Sequence, residues 1–278
     1  MKRKLLCCGN SHLATVAELL DTCARKFGIE PVFVPLNWVD LEQLGTVREK
    51  LSVGADASIE VNDPSGARSI EIAADRFLGF ITAGAPFGGP GELFRAIAAK
   101  SFTGSFKGVP DPTVVACCYP FTDSSDRWEG SISHPAAATL PDGLVSSACL
   151  RAIFDHWYQQ LFDTPLARVF AQFMAVRPLA HIPTPPMPGI TVIHRFGRHV
   201  FESPLGHLMN ECWAEKARVK LNEVSVFTVP ESCVEDGWLK AEYVADGHPT
   251  LEIHGNKRYG QLFETECGEW IERAMLRT

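Results

Sequence analysis

This chain has no apolar run of the ~20 residues that a membrane-spanning helix needs, so no stretch of it reads as a membrane span. It has no block of like charge either: 26 Lys and Arg stand against 33 Asp and Glu, for a net charge of −7. The basic stripe that marks a nucleic-acid surface is missing, and no nucleic-acid partner is expected. Its nine cysteines are odd in number and show no Cys-x-x-Cys spacing, which argues against a disulfide framework and against a zinc site. His194 and His199 lie five apart with no carboxylate pair nearby, so no metal is expected there. Gly84–Gly91 (Gly-Ala-Pro-Phe-Gly-Gly-Pro-Gly) lacks the Gly-Lys-Ser/Thr of a phosphate-binding loop and the Gly-x-Gly-x-x-Gly of a dinucleotide turn. A nucleotide binder is thereby disfavoured, and no cofactor is expected. Behind Lys2-Arg3-Lys4 only a few apolar residues precede a Gly-Asn-Ser turn, too few for a signal peptide. The expectation is a cytoplasmic protein.

What the chain does have is apolar material, 46% of 278 residues, enough to bury a sizeable core. Lys4–Cys8 reads as a first strand, with Cys7 and Cys8 pointing to opposite faces as small hydrophobes. A helix follows over His12–Lys26, its Leu13, Val16, Leu19, Leu20 and Cys23 on one face and Gly28 past its end. Pro31–Leu36 is the second strand. This strand–helix–strand opening favours a parallel sheet covered by helices. Ala57–Val61 and Arg68–Ile72 read as a hairpin around Asn62-Asp63-Pro64-Ser65-Gly66. Phe77–Ala83 is apolar throughout, as a buried central strand should be. It runs into the Gly84–Gly91 loop and a helix over Glu92–Lys100.

Val114–Cys118 reads as a further strand. Tyr119–Asp142, which carries Trp128, is irregular and long enough to suggest a functional loop. Helices are expected over Leu144–Leu161 and Leu166–Met174. Leu179–Ile182 is a short strand whose proline-rich end, Pro183–Pro188, suits a substrate-facing loop. A helix over Pro204–Leu221, a strand over Val224–Val229 and a closing helix over Asn256–Leu276 complete the order. The fold class expected is α/β: one three-layer domain over residues 1–278, with a mostly parallel sheet and helices on both faces.

The chemistry concentrates at the two ends. Gly9-Asn10-Ser11-His12 places a serine in the tight turn between the first strand and the first helix. A serine hydroxyl is a weak nucleophile and needs an adjacent base. At the carboxyl edge of an open sheet it would stand where such folds bind ligands. The competing reading is a helix N-cap, for which serine is favoured. His254, at the mouth of the closing helix, is the candidate general base. Asn256 would cap that helix and Tyr259 would pack in its first turn. His12, beside the serine, is a candidate for a binding or positional role.

Gly9-Asn10-Ser11-His12 and His254-Gly255-Asn256-Lys257-Arg258-Tyr259-Gly260 resemble the two end motifs of the SGNH (GDSL-like) hydrolase and acyltransferase superfamily. The resemblance implies an SGNH/flavodoxin-like fold and an acyl enzyme on Ser11 with His254 as base. It implies small esters or acylated sugars as substrates. The family's acid, three residues before the histidine, is replaced by Leu251. Asp246 is the favoured substitute, Glu252 is second, and a Ser–His dyad is third. The family's oxyanion hole uses a glycine N–H and an asparagine side chain. Gly84 is the expected backbone donor, with Asn10 and His12 grouped beside it as oxyanion or binding residues. The expected function is a serine esterase or O-acyltransferase. The alternative is a non-catalytic ligand-binding or accessory protein on the same fold.

Overall fold

The structure, a computed structural model, describes residues 2–36, 51–53, 58–62, 69–91, 147–174, 177–190, 205–245 and 254–277. It begins with β1 (Lys4–Gly9), α1 (His12–Lys26) and β2 (Glu30–Pro35), close to the bounds the sequence suggests. β3 (Leu51–Val53), β4 (Ile59–Asn62) and β5 (Ser69–Ile72) form a small antiparallel sheet. β4 and β5 are the expected hairpin, while β3, only three residues long, leaves no legible period. β6 (Phe77–Ala83) is buried along its whole length, as its unbroken apolar run requires.

The helices α2 (Ser147–Phe162) and α3 (Pro165–Met174) lead to β7 (Leu179–Ile182). Next come α4 (Leu205–Lys220) and β8 (Ser225–Val226). β8 is much shorter than the Val224–Val229 strand expected. Its chain turns locally, the Val226 N–H donating to the Val224 carbonyl, and only two residues align with β7.

Strands β9 (Val234–Glu235) and β10 (Trp238–Leu239) pair antiparallel. Between them Asp236 (φ 51°) and Gly237 (φ 85°) both take the left-handed conformation of a two-residue hairpin turn. The closing helix is broken into α5 (Lys257–Gln261) and α6 (Glu264–Arg277). Leu262 and Phe263 make tight i→i−3 bonds to Tyr259 and Gly260, which interrupts the regular ladder and turns Phe263 into the core.

The main sheet has the order β2-β1-β6-β7-β8, and every pairing in it is parallel. Strand alternation sends Leu5 and Cys7 to one face and Leu6 and Cys8 to the other. On the first face they meet Leu13, Val16 and Leu20 of α1 and Trp270 and Ile271 of α6. On the second they meet Phe154 and Tyr158 of α2, Phe170 of α3 and Trp213 of α4. The result is the three-layer α/β arrangement the sequence suggests. The six cysteines whose side chains are described are free and buried. Burial pushes the Cys212 and Cys233 thiols up to about 11, so they stay protonated and act as apolar filler. No helix among the described residues is long and apolar enough to cross a membrane.

Several expectations lie outside the described residues: the helix over Glu92–Lys100, the strand over Val114–Cys118, the loop over Tyr119–Asp142, His194 and His199. Pro183–Pro188 is described and buried, packed under the Gly84–Gly91 loop.

Parallel pairing puts the carboxyl ends of all five strands at one edge. At that edge β1 and β6 close on each other at Gly9. A Cβ there would stand 2.3 Å from the Ala83 carbonyl oxygen, so only glycine lets the strands stay paired up to the turn. Gly9→Ala is expected to cost about 1–3 kcal/mol of stability, as other forced overpacking does. Urea denaturation of the variant against the native chain measures it.

Candidate active site

Ser11 follows β1 directly and opens α1. In the cap position its side chain makes no capping hydrogen bond. The cap is supplied one residue earlier: the His12 N–H donates to Asn10 Oδ1 at 3.1 Å. The exposed Ser11 hydroxyl stands instead 2.7 Å from His254 Nε2, across 243 residues of sequence. With Nε2 unprotonated the hydroxyl donates to it, the arrangement in which a base can take the proton of a nucleophile.

The backbone around His254 is tied down on both sides. The Ala245 N–H donates to the His254 carbonyl at 3.0 Å, and the Asn256 N–H donates to the Tyr243 carbonyl at 2.7 Å. Thr15 of α1 donates its hydroxyl to the Gly255 carbonyl at 3.0 Å, tying the histidine segment to the helix that begins at the serine. Asn256 caps α5 as expected: its Oδ1 accepts from the Tyr259 N–H at 3.1 Å, and its amide donates to the Glu242 and Val244 carbonyls. Tyr259 is buried, as expected of it. Gly260 lets α5 lie close on α1, since a Cβ there would come within 2.5 Å of the Thr15 carbonyl oxygen.

His12 joins the site from below. Its ring is buried, and its centroid lies 4.6 Å from that of His254 at a tilt of 38°. Asp246 and Glu252, the two carboxylates weighed as partners of His254, lie outside the described residues.

Gly84 is not placed as the sequence reading has it. Its N–H donates to the Ile182 carbonyl at 3.0 Å, extending the β6–β7 ladder one step past the end of β6. A donor used by the sheet is not open to a substrate oxygen. What Gly84 does offer is room. Its φ of +68° suits glycine, and a Cβ there would stand 2.5 Å from Asn10 Oδ1. The Ser11 N–H donates to none of the described residues.

Behind this edge lies a buried polar network that the sequence reading missed. His181 of β7 sits with Nδ1 2.9 Å from Thr82 Oγ1 and Nε2 2.8 Å from the Gly88 carbonyl oxygen. The carbonyl only accepts, so Nε2 carries the proton and donates, and Nδ1 accepts from Thr82. The Thr184 N–H also donates to the Gly88 carbonyl, at 3.2 Å. The network thus fastens the Gly84–Gly91 loop to β7. A His within an otherwise apolar four-residue strand is the signal that would have found it.

A separate cleft of about 830 Å³ lies along α4 and the β8 edge, lined by Trp213, Ala217, Leu221 and Phe227 among others. None of the candidate site residues lines it. Among the described residues no group of three His, Cys, Asp or Glu is placed to hold a metal. Compared with protein-family models and with curated proteins, the chain has no match.

Proposed function

We propose that this protein is a serine esterase or O-acyltransferase that works through an acyl-Ser11 intermediate with His254 as general base. The observation that carries the reading is the 2.7 Å approach of Ser11 Oγ to His254 Nε2 at the carboxyl edge of a parallel sheet. A serine that merely capped α1 would spend its oxygen on the helix, and this one does not.

In the first half-reaction Ser11 Oγ bonds to the ester carbonyl carbon while its proton passes to His254 Nε2. The carbonyl electron pair moves to oxygen, and the Ser11 N–H, which donates to none of the described residues, is the proposed donor to the resulting oxyanion. Collapse breaks the bond to the leaving alkoxide, which takes the proton from His254. In the second half water or an alcohol attacks the acyl-serine, His254 taking its proton and returning it to Ser11. Resemblance to the SGNH superfamily points to small or carbohydrate esters as substrates. Asp246 is the proposed partner of His254.

Mass spectrometry of the intact protein after treatment with a fluorophosphonate, followed by peptide mapping, tests the reading. One adduct on Ser11 is expected, and none in His254→Ala. An unlabelled native chain would overturn the enzyme reading in favour of a ligand-binding protein on the same fold.

A further inference from the structure

Two of the buried thiols meet each other. Cys23 stands in the last turn of α1 and Cys267 in the first turn of α6, both in the core on that face of the sheet. The Cys23 thiol donates to the Glu264 carbonyl at 3.9 Å, across 241 positions of the chain. A helical carbonyl points along the axis toward the next turn, which here carries Cys267. The two sulfurs share a hydrogen bond, and both thiols are free. We infer that Cys23 and Cys267 form a reversible disulfide when the protein meets a hydroperoxide, and that this bond clamps α1 to α6.

The two thiols differ in the way the reaction requires. The Cys267 thiol donates to the Cys23 sulfur and holds the Cys23 pKa below the ordinary thiol value, against burial. The same bond, with burial added, keeps Cys267 protonated. Cys23 is therefore the sulfur that attacks first. Its thiolate bonds to one peroxide oxygen, the O–O bond breaks, and the departing oxygen leaves as water after taking a proton. Cys23 is then a sulfenic acid. The Cys267 sulfur attacks the Cys23 sulfur, the S–O bond breaks, and hydroxide leaves with the Cys267 proton as a second water. Two thiols have given up two electrons, and one hydrogen peroxide has become two waters. Both thiols lie in terminal helical turns, which open locally more readily than helix centres. One turn along each helix, Lys26 and Glu264 meet as an exposed ion pair at 3.5 Å, so the pair lies close to the surface. α1 opens beside Ser11, and α6 follows the segment that carries His254. The clamp thus joins the two ends of the chain that meet at the candidate site.

The test treats the native full-length chain with hydrogen peroxide, blocks remaining thiols with iodoacetamide, and maps peptides without reduction. A cross-linked pair containing Cys23 and Cys267, lighter than its two peptides by two hydrogen atoms, is expected. Dithiothreitol should abolish it, and Cys23→Ser should leave Cys267 blocked by iodoacetamide. A bond between positions so far apart restricts the unfolded chain strongly, so the oxidised native chain should unfold about 5–10 °C above the reduced one. Peroxide should not raise the midpoint of Cys23→Ser. Cys23 and Cys267 both blocked after peroxide treatment would overturn the inference, as would either of them joined to Cys7 instead. A Cys23–Cys267 link without a rise in the midpoint would overturn the clamp. The mapping needs only the native chain, and neither readout is an activity, so the result is independent of the role of Ser11.

Discussion

Ser11→Ala is expected to hydrolyse p-nitrophenyl acetate more slowly than the native chain by on the order of 10³-fold or more, while unfolding at the same temperature. The two halves of that expectation come from one geometric fact. The Ser11 hydroxyl is turned to His254 and away from the helix it precedes, so its removal takes away the proposed nucleophile and no cap. A capping serine would show the opposite pattern, intact activity and a stability loss of about 1 kcal/mol. His254→Ala should match Ser11→Ala in rate, and the double variant should be hardly slower than either. Groups that act as a unit lose their whole effect with the first deletion. Additive losses would mean that the two side chains serve different steps. Parallel measurement of turnover and of urea denaturation for the three variants decides among these patterns.

How the serine and histidine meet was only partly legible in the sequence. The alternation of Leu5-Leu6-Cys7-Cys8, the helical face of Leu13, Val16, Leu19, Leu20 and Cys23, and the unbroken apolar run Phe77–Ala83 each declare their element through local periodicity, and the structure keeps all three. Their order then implies parallel pairing, and parallel pairing gathers the loops at one edge. The departures arise where tertiary contacts outweigh local pattern. The closing helix carries helical residues throughout, yet the tight bonds at Leu262 and Phe263 break it to bring Phe263 into the core. The fate of the Gly84 N–H could not be read from Gly84 at all, because it is set by the Ile182 carbonyl, almost a hundred positions away in the chain, at the end of β7. The Asp236-Gly237 turn is a different case. Its two residues are the standard local signal for a two-residue hairpin, and the flanking strands are too short to have announced themselves by alternation.

The buried imidazole of His181 carries a second large expectation, this one on stability. Burial pushes its pKa down from the ordinary 6.5 to about 4, against the smaller upward pull of its hydrogen bonds to Gly88 and Thr82. In the unfolded chain the ring takes up a proton once the pH drops below about 6.5, while in the folded chain it stays neutral until about 4. Between those values the unfolded state binds more protons, so stability falls as pH falls. The contribution is intact above the unfolded pKa and is lost progressively on the way down to the folded one. Integrated from pH 7.5 to 4 the loss is about 3 kcal/mol, over two orders of magnitude in the folding equilibrium. Carboxylates and the other histidines titrate in the same range, so the informative quantity is the difference between the native chain and His181→Gln. Glutamine cannot ionise, and its amide can still donate toward the Gly88 carbonyl. The variant should start less stable at pH 7.5, because it packs less well against Phe87, whose ring meets the imidazole edge-on at 5.3 Å. It should then lose less stability on acidification, so that the two curves of unfolding free energy against pH converge. Parallel curves would mean that acid reaches the fold through other groups. Converging curves would identify the fastening of the Gly84–Gly91 loop to β7 as the acid-labile joint behind the edge where Ser11 and Asn10 stand, because Gly88, which His181 holds, belongs to the same loop as the glycine that seats the Asn10 amide.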